Sequence, residues 1–189
     1  MCGSNPIRGA LVAVALAASL AAADEVPLQL QVQLLSKMST LIDLPPGVSS
    51  TIKVLVIYPG TFHTPSRGAQ TLASAIEQVG QFGSLKAEAK LARFVDTKKF
   101  EAALAAEKPQ FIYLAPELKE QAVRDLVEAS ATSEAITISS VGDYVKLGVV
   151  LGFSLEEAKP RVLLNLKQVR KQHIVLHSGL TRHAVIVER

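Results

Sequence analysis

TIKVLVIYPG, Thr51 to Gly60, says most about how this chain folds. Its first eight residues are β-branched or otherwise apolar with one charged interruption, and Pro59-Gly60 closes them. A strand with one wet face alternates apolar and polar residues. This one barely does, so both of its faces are covered, as happens in parallel sheets with helices on each side.

The flanking segments agree. After the loop GTFHTPSRG comes AQTLASAIEQVGQF, in which Leu72, Ala75, Ile76 and Val79 share one helical face. SLKAEAKLARF then alternates Leu85, Ala87, Ala89 and Leu91 against Lys86, Glu88 and Lys90, the pattern of a strand with one wet face. Asp96 or Thr97 can cap the helix TKKFEAALAAEK by accepting from its free amides. QFIYLA, Gln110 to Ala115, is a second buried strand. Pro116 is expected to open the helix ELKEQAVRDLVEASA, with Leu118, Ala122, Leu126 and Val127 inward, and AITIS, Ala135 to Ser139, is a further strand. Upstream, PLQLQVQLLSKMSTLIDLPPG carries both periodicities; Leu34, Leu35, Met38, Leu41 and Ile42 favour a helix, ended by Pro45-Pro46-Gly47.

Alternation of strand and helix predicts a mainly parallel sheet with right-handed crossovers. The tail is patterned differently. There GVVLGFSLEEAKPRVLLNL reads as two strands, Gly148 to Leu155 and Arg161 to Leu166, joined by the turn EEAKP. The expected fold is therefore a single α/β domain, a mainly parallel central sheet with flanking helices and a C-terminal antiparallel hairpin.

The N-terminus points to export. One basic residue, Arg8, precedes the apolar run Ala10 to Ala23, which is short for a spanning helix and ends in small residues before Asp24-Glu25. Residues 1–23 read as a signal peptide cleaved after Ala23, which leaves residues 24–189 as one periplasmic domain. Cleavage removes Cys2, the chain's one cysteine, so the domain depends on its core rather than on an internal disulfide. It also removes Arg8, so 19 of the 20 basic residues face 17 acidic ones, with the signs interspersed. A nucleic-acid surface needs a one-sided basic face with aromatics to stack on, and the sequence displays neither.

The most polar loop is Gly60 to Gly68, just past the carboxyl end of a parallel strand, where open α/β sheets bind ligands. Its Thr61, His63, Thr64, Ser66 and Arg67 form a candidate anion grip at the start of the next helix, although the loop carries no nucleotide fingerprint. The bland alternative is a solvated loop in which Ser66 caps that helix. No G-x-S-x-G turn supports a hydrolase, and no nucleophile, base and orienting group assemble from the sequence, so no enzyme and no cofactor are expected. His173 and His177 would share a metal on a helix. Ile174, Val175 and Leu176 between them look like a strand, which holds the two imidazoles about 13 Å apart, and no metal is expected.

The tail also carries a resemblance. Thr137 to Ser139, the step Gly148-Val149-Val150, and Asn165-Leu166 opening a basic helix from Lys167 to Gln172 follow the order of a KVLVIY strand and a buried FIYL strand. This order is similar to that of the YfiR-like family of bacterial periplasmic regulators, over roughly Leu28 to Val185 and most sharply over residues 135–185. The family's tryptophan-proline pair is replaced by Leu44-Pro45. Its disulfides have no counterpart in the mature chain, so redox sensing is not carried over. The resemblance implies structural roles for Gly148 and Asn165, the latter as a helix cap. It also implies a partner, an inner-membrane sensor protein with a periplasmic domain, such as a diguanylate cyclase, restrained by protein contact. An apolar patch on the tail hairpin would serve a homodimer. The alternative is a small periplasmic solute-binding protein using the Gly60 to Gly68 loop.

Overall fold

The computed structural model describes residues 26–44, 48 and 50–188. The expected signal peptide and the stop at Pro45-Pro46-Gly47 lie outside them. Helix α1 (Leu28–Met38) runs into a 3-10 turn at Ser39–Leu41. Then follow β1 (Thr51–Pro59), α2 (Arg67–Val79), β2 (Gln81–Phe82), β3 (Leu85–Phe94), α3 (Thr97–Glu107), β4 (Phe111–Leu114), α4 (Glu120–Ser130), β5 (Ile136–Ser139) and α5 (Gly142–Lys146). The tail contains β6 (Leu151–Glu156), β7 (Lys159–Asn165), α6 (Leu166–Lys171), α7 (Ser178–His183) and β8 (Val185–Glu188).

Among the described residues the eight strands form one sheet in the order β2-β3-β1-β4-β5-β6-β7-β8. Pairing is parallel except at β2/β3 and β6/β7. The continuous apolarity of β1 has the expected cause. Val54 and Val56 pack into one layer with Val32 and Leu35 of α1 and Leu72 and Ile76 of α2. Leu55 and Ile57 turn the other way, toward Phe100 and Leu104 of α3 and Val123 and Leu126 of α4. Successive strand residues point to opposite faces, so two helical layers demand an unbroken apolar strand. β3 has a wet face of Lys86, Glu88 and Lys90, as its alternation predicts.

Several boundaries differ from expectation. The second helix ends at Val79, and Gly80 (φ 70) turns the chain so that Gln81 and Phe82 form a strand against β3. Pro116 does not open α4. Tyr144 Oη donates to the carbonyls of Pro116 and Leu118, holding that segment as a turn, and the helix starts only at Glu120. The hairpin turn is two residues, Glu157 and Ala158, both at positive φ (50 and 59), which aligns Glu156 with Lys159. That conformation twists in the sense of the strands it joins. The hairpin is not the sheet's edge, because β8 pairs with β7 outside it.

Candidate functional site

From β1 the chain passes through α2 to β3 on one side, then returns through α3 to β4 on the other. The carboxyl ends of β1 and β4 are thus the point where the strand order reverses, the usual ligand position in open sheets. A cleft of about 310 Å³ lies on this edge, walled by Pro27 and Gln31 before and within α1, Gly68 and Leu72 of α2, Tyr113 of β4 and Ser140 after β5. Its base is hydrogen-bonded: Tyr113 Oη donates to Gln31 Oε1 at 2.5 Å, and Gln31 Nε2 donates to the Val26 carbonyl at 2.6 Å. Gln31 is 5% exposed, so this polar residue of an otherwise apolar helix face fixes α1 over the strand ends.

The Gly60–Gly68 loop leads into this wall. Gly60 is required by contact rather than by turn geometry: a Cβ there would stand 2.2 Å from the Phe94 carbonyl oxygen. Ser66 Oγ accepts from the Ala69 amide at 3.3 Å, capping α2. Thr61, His63, Thr64 and Arg67 are exposed, and among the described residues their side chains make no hydrogen bond or ion pair. The carboxylate of Glu117 approaches the first turn of α2, 3.7 Å from where a Gly68 Cβ would be. That turn thus already faces a negative charge.

The tail residues singled out by sequence do converge. Thr137 Oγ1 of β5 accepts from the Val150 amide at 3.0 Å, which ties the threonine-serine strand to the glycine step. Ser139 Oγ donates to the Leu114 carbonyl and accepts from the Val141 amide. Asn165 Oδ1 accepts from the Gln168 amide at 2.9 Å, capping α6, while its Nδ2 donates to the Val145 carbonyl at 2.8 Å. Gly148 has φ 112, and a Cβ on it would lie 2.8 Å from Val127 Cγ1. The motifs are separate in sequence and one buried joint in space.

His173 and His177 are not brought to a common ion. His173 turns the chain at φ 54. Leu176 makes a single antiparallel bridge to Ile42, and His177 Nε2 meets Asp43 Oδ1 at 2.8 Å. Among the described residues no three metal-ligating side chains cluster.

An eight-stranded sheet between two helical layers, with an antiparallel tail locked to the parallel core through Thr137, Gly148 and Asn165, defines a single-domain α/β protein with an open carboxyl edge. The chain belongs to the YfiR/HmsC-like family, whose model matches residues 28–185. That span runs from the start of α1 to the start of β8. No curated protein matches the chain.

Among solved structures the chain is similar to a conserved domain protein from Vibrio cholerae (TM-score 0.60, 13% identity, 85% of this chain and 60% of that one). It is also similar to an ABC domain in complex with L-Trp from Streptococcus pneumoniae (0.60, 11%, with 85% and 60% covered). A third likeness is to the ligand-free, open CD0873 of Clostridium difficile, a substrate-binding protein with adhesive properties (0.56, 8%, with 72% and 54% covered). The chain spans about 60% of the length of the first two. At such identities the likeness is one of fold.

Proposed function

We propose that the chain is exported, cleaved after Ala23, and acts as a non-catalytic periplasmic regulator made of residues 24–189. It restrains an inner-membrane signalling protein, such as a diguanylate cyclase, by contact with that protein's periplasmic part. The family match over residues 28–185 carries this reading. Among the described residues no helix is long and apolar enough to cross a membrane, which is compatible with action on a membrane partner from the aqueous side. Mechanistically this is a population shift: the regulator binds one state of the sensor more tightly than the other. Near-complete switching needs a difference of about 10⁴-fold in affinity.

A pull-down after crosslinking in the native host, followed by deletion of the gene, tests the proposal. Recovery of a sensor with a periplasmic domain, together with a rise in that sensor's output on deletion, is the expected result. Recovery of transporter subunits with unchanged output refutes it.

The same reading includes self-association at the β8 edge rather than at the hairpin. β2 at the opposite edge has only two residues, whereas β8 offers four, with Val185 42% exposed. Val185→Lys is expected to lower the apparent mass in analytical ultracentrifugation, and a concentration-independent monomer in the parent chain removes this part.

A second reading is favoured by the carboxyl-edge cleft. A small molecule would sit between α1 and α2, with the loop from Thr61 to Arg67 at its side, in a chain whose fold resembles that of substrate-binding proteins. Saturable binding of a small solute by the isolated chain, abolished by Gln31→Leu and without effect on any sensor, distinguishes this reading from the first.

A further inference from the structure

At the opposite, amino edge of the sheet, a second cleft of about 360 Å³ is enclosed by the last turns of α4, the end of α5 and the first turns of α6. Four cationic side chains line it, Arg124, Lys146, Lys167 and Lys171, against one carboxylate, Glu128. Asp143 holds Lys146 at 2.7 Å. Among the described residues Arg124, Lys167 and Lys171 have no ion pair. Elsewhere Lys86, Lys90 and Lys99 each sit beside a carboxylate, whereas Lys37, Lys53 and Lys98 make no ion pair either, so what distinguishes the cleft is that its cations are gathered in one place. Like charges gathered around a single unpaired counter-charge repel one another, which alone marks only a solvated surface.

The cleft's floor supplies an independent observation. Gln168 is 6% exposed, and its amide nitrogen has no hydrogen-bond partner among the described residues. Its Oε1 lies 3.9 Å from the point a Gly148 Cβ would occupy, and Gly148 is part of the cleft wall. Gly148 therefore keeps this wall open, and the Gln168 carboxamide reaches it from below. Buried donors are almost always paired, so an unpaired one at the base of a cationic cleft calls for an acceptor.

The Asn165 cap takes the Gln168 backbone amide and so fixes the first turn of α6, and the Gln168 side chain is part of the cleft lining. The complement of an amide N–H and three unpaired cations is a compact dianion with several acceptor oxygens, and arginine matches a phosphate's geometry in particular. Glu128 adds one acceptor at the rim, suited to a hydroxyl or amine on the ligand.

We propose that this cleft binds a phosphate monoester group, with Gln168 donating from the floor, Arg124, Lys167 and Lys171 neutralising its charge, and Glu128 accepting from a neighbouring hydroxyl or amine. The phosphate belongs either to a small soluble ester or to a lipid headgroup. The site is separate from the carboxyl-edge cleft and does not depend on the regulatory reading.

Isothermal titration of the purified chain with inorganic phosphate and with glycerol phosphate tests it, alongside co-sedimentation with phosphatidic acid and phosphatidylcholine vesicles. Saturable binding of the ester is expected, with a Kd below about 1 mM. Lys167→Gln with Lys171→Gln should weaken it about tenfold or more, as charge-assisted bonds are lost. Gln168→Met should weaken it as well, while Lys86→Gln, outside the cleft, leaves it unchanged. The Gln168 side-chain amide resonances of the parent chain should shift on phosphate addition, which keeps the test decisive if Gln168→Met folds poorly. Ester binding without vesicle binding identifies a soluble ligand; selective binding to phosphatidic acid, sensitive to Gln168→Met, identifies a headgroup. Absence of both, or attraction that follows the lysines while the Gln168 resonances stay fixed, overturns the proposal.

Discussion

Replacing Gly148 by alanine probes the buried joint at its tightest point. Two terms add. The backbone sits at φ 112, on the side that residues with a Cβ avoid, at about 1–2 kcal/mol for an ordinary residue. The new methyl would also lie 2.8 Å from Val127 Cγ1 and 3.8 Å from Val127 Cβ, and Val127 is a buried residue of α4 packed in the core cluster. Overpacking of that kind costs about 1–3 kcal/mol. Gly148→Ala is therefore expected to lose about 2–5 kcal/mol, on the order of 10 °C in melting midpoint for a domain of this size. Urea unfolding followed by circular dichroism, with thermal melts alongside, measures it.

The partner variant separates the two terms. Val127→Ala removes the atom in the way, so the double variant should lose less than the sum of the singles by about 1 kcal/mol or more. The backbone part would persist. A Gly148→Ala protein that unfolds within about 0.5 kcal/mol of the parent, or a strictly additive double variant, refutes the assignment of Gly148 to this contact.

Asn165→Ala removes a cap and one of the two hydrogen bonds to the Val145 carbonyl, which keeps the Gly148 amide, so a loss of about 1–3 kcal/mol in urea unfolding is expected; Asn165→Asp, which keeps the acceptor and loses the donor, should fall between. Ser66→Ala should cost about 1 kcal/mol through α2 alone, and an unchanged midpoint would show that the loop does not need its cap. Burial, then the charges of Glu117 and Glu120, hold the Tyr144 hydroxyl above its ordinary pKa of 10.0. The folded chain thus keeps that proton more tightly than the unfolded one. Its contribution is complete below pH 10.0 and lost as pH rises through the raised value. Tyr144→Phe should be less stable near neutrality yet show a shallower alkaline decline in stability measured from pH 8 upward; parallel curves refute this. His177→Ala, which breaks an exposed contact with Asp43, should change stability by less than about 1 kcal/mol.

Much of the fold was legible because its signals are local. The unbroken apolarity of β1 requires two covering layers, and both layers exist. The wet face of β3 and the caps Ser66, Asp96 and Asn165 are each readable within a few residues. β2, α5, α7 and β8 escaped because a two-residue strand or a five-residue helix has no period to recognise, and each exists through what it packs against. Pro116 shows the converse. Its place before a helical pattern is a fair start signal, yet Tyr144, 28 residues further on, holds the segment as a turn.

The candidate sites divide along the same line. The α/β class, the covered parallel strands, the helix caps and the order of motifs that marks the family can all be read from residues in a row, since propensity, periodicity and capping act between near neighbours. That Thr137, Gly148 and Asn165 form one joint, and that α1 closes the carboxyl edge through Gln31 and Tyr113, follows from the folded arrangement alone. The same arrangement gathers Arg124, Lys167, Lys171 and Gln168 around one cleft. Those residues lie up to dozens of positions apart, and what unites them is the sheet order, which no local preference encodes.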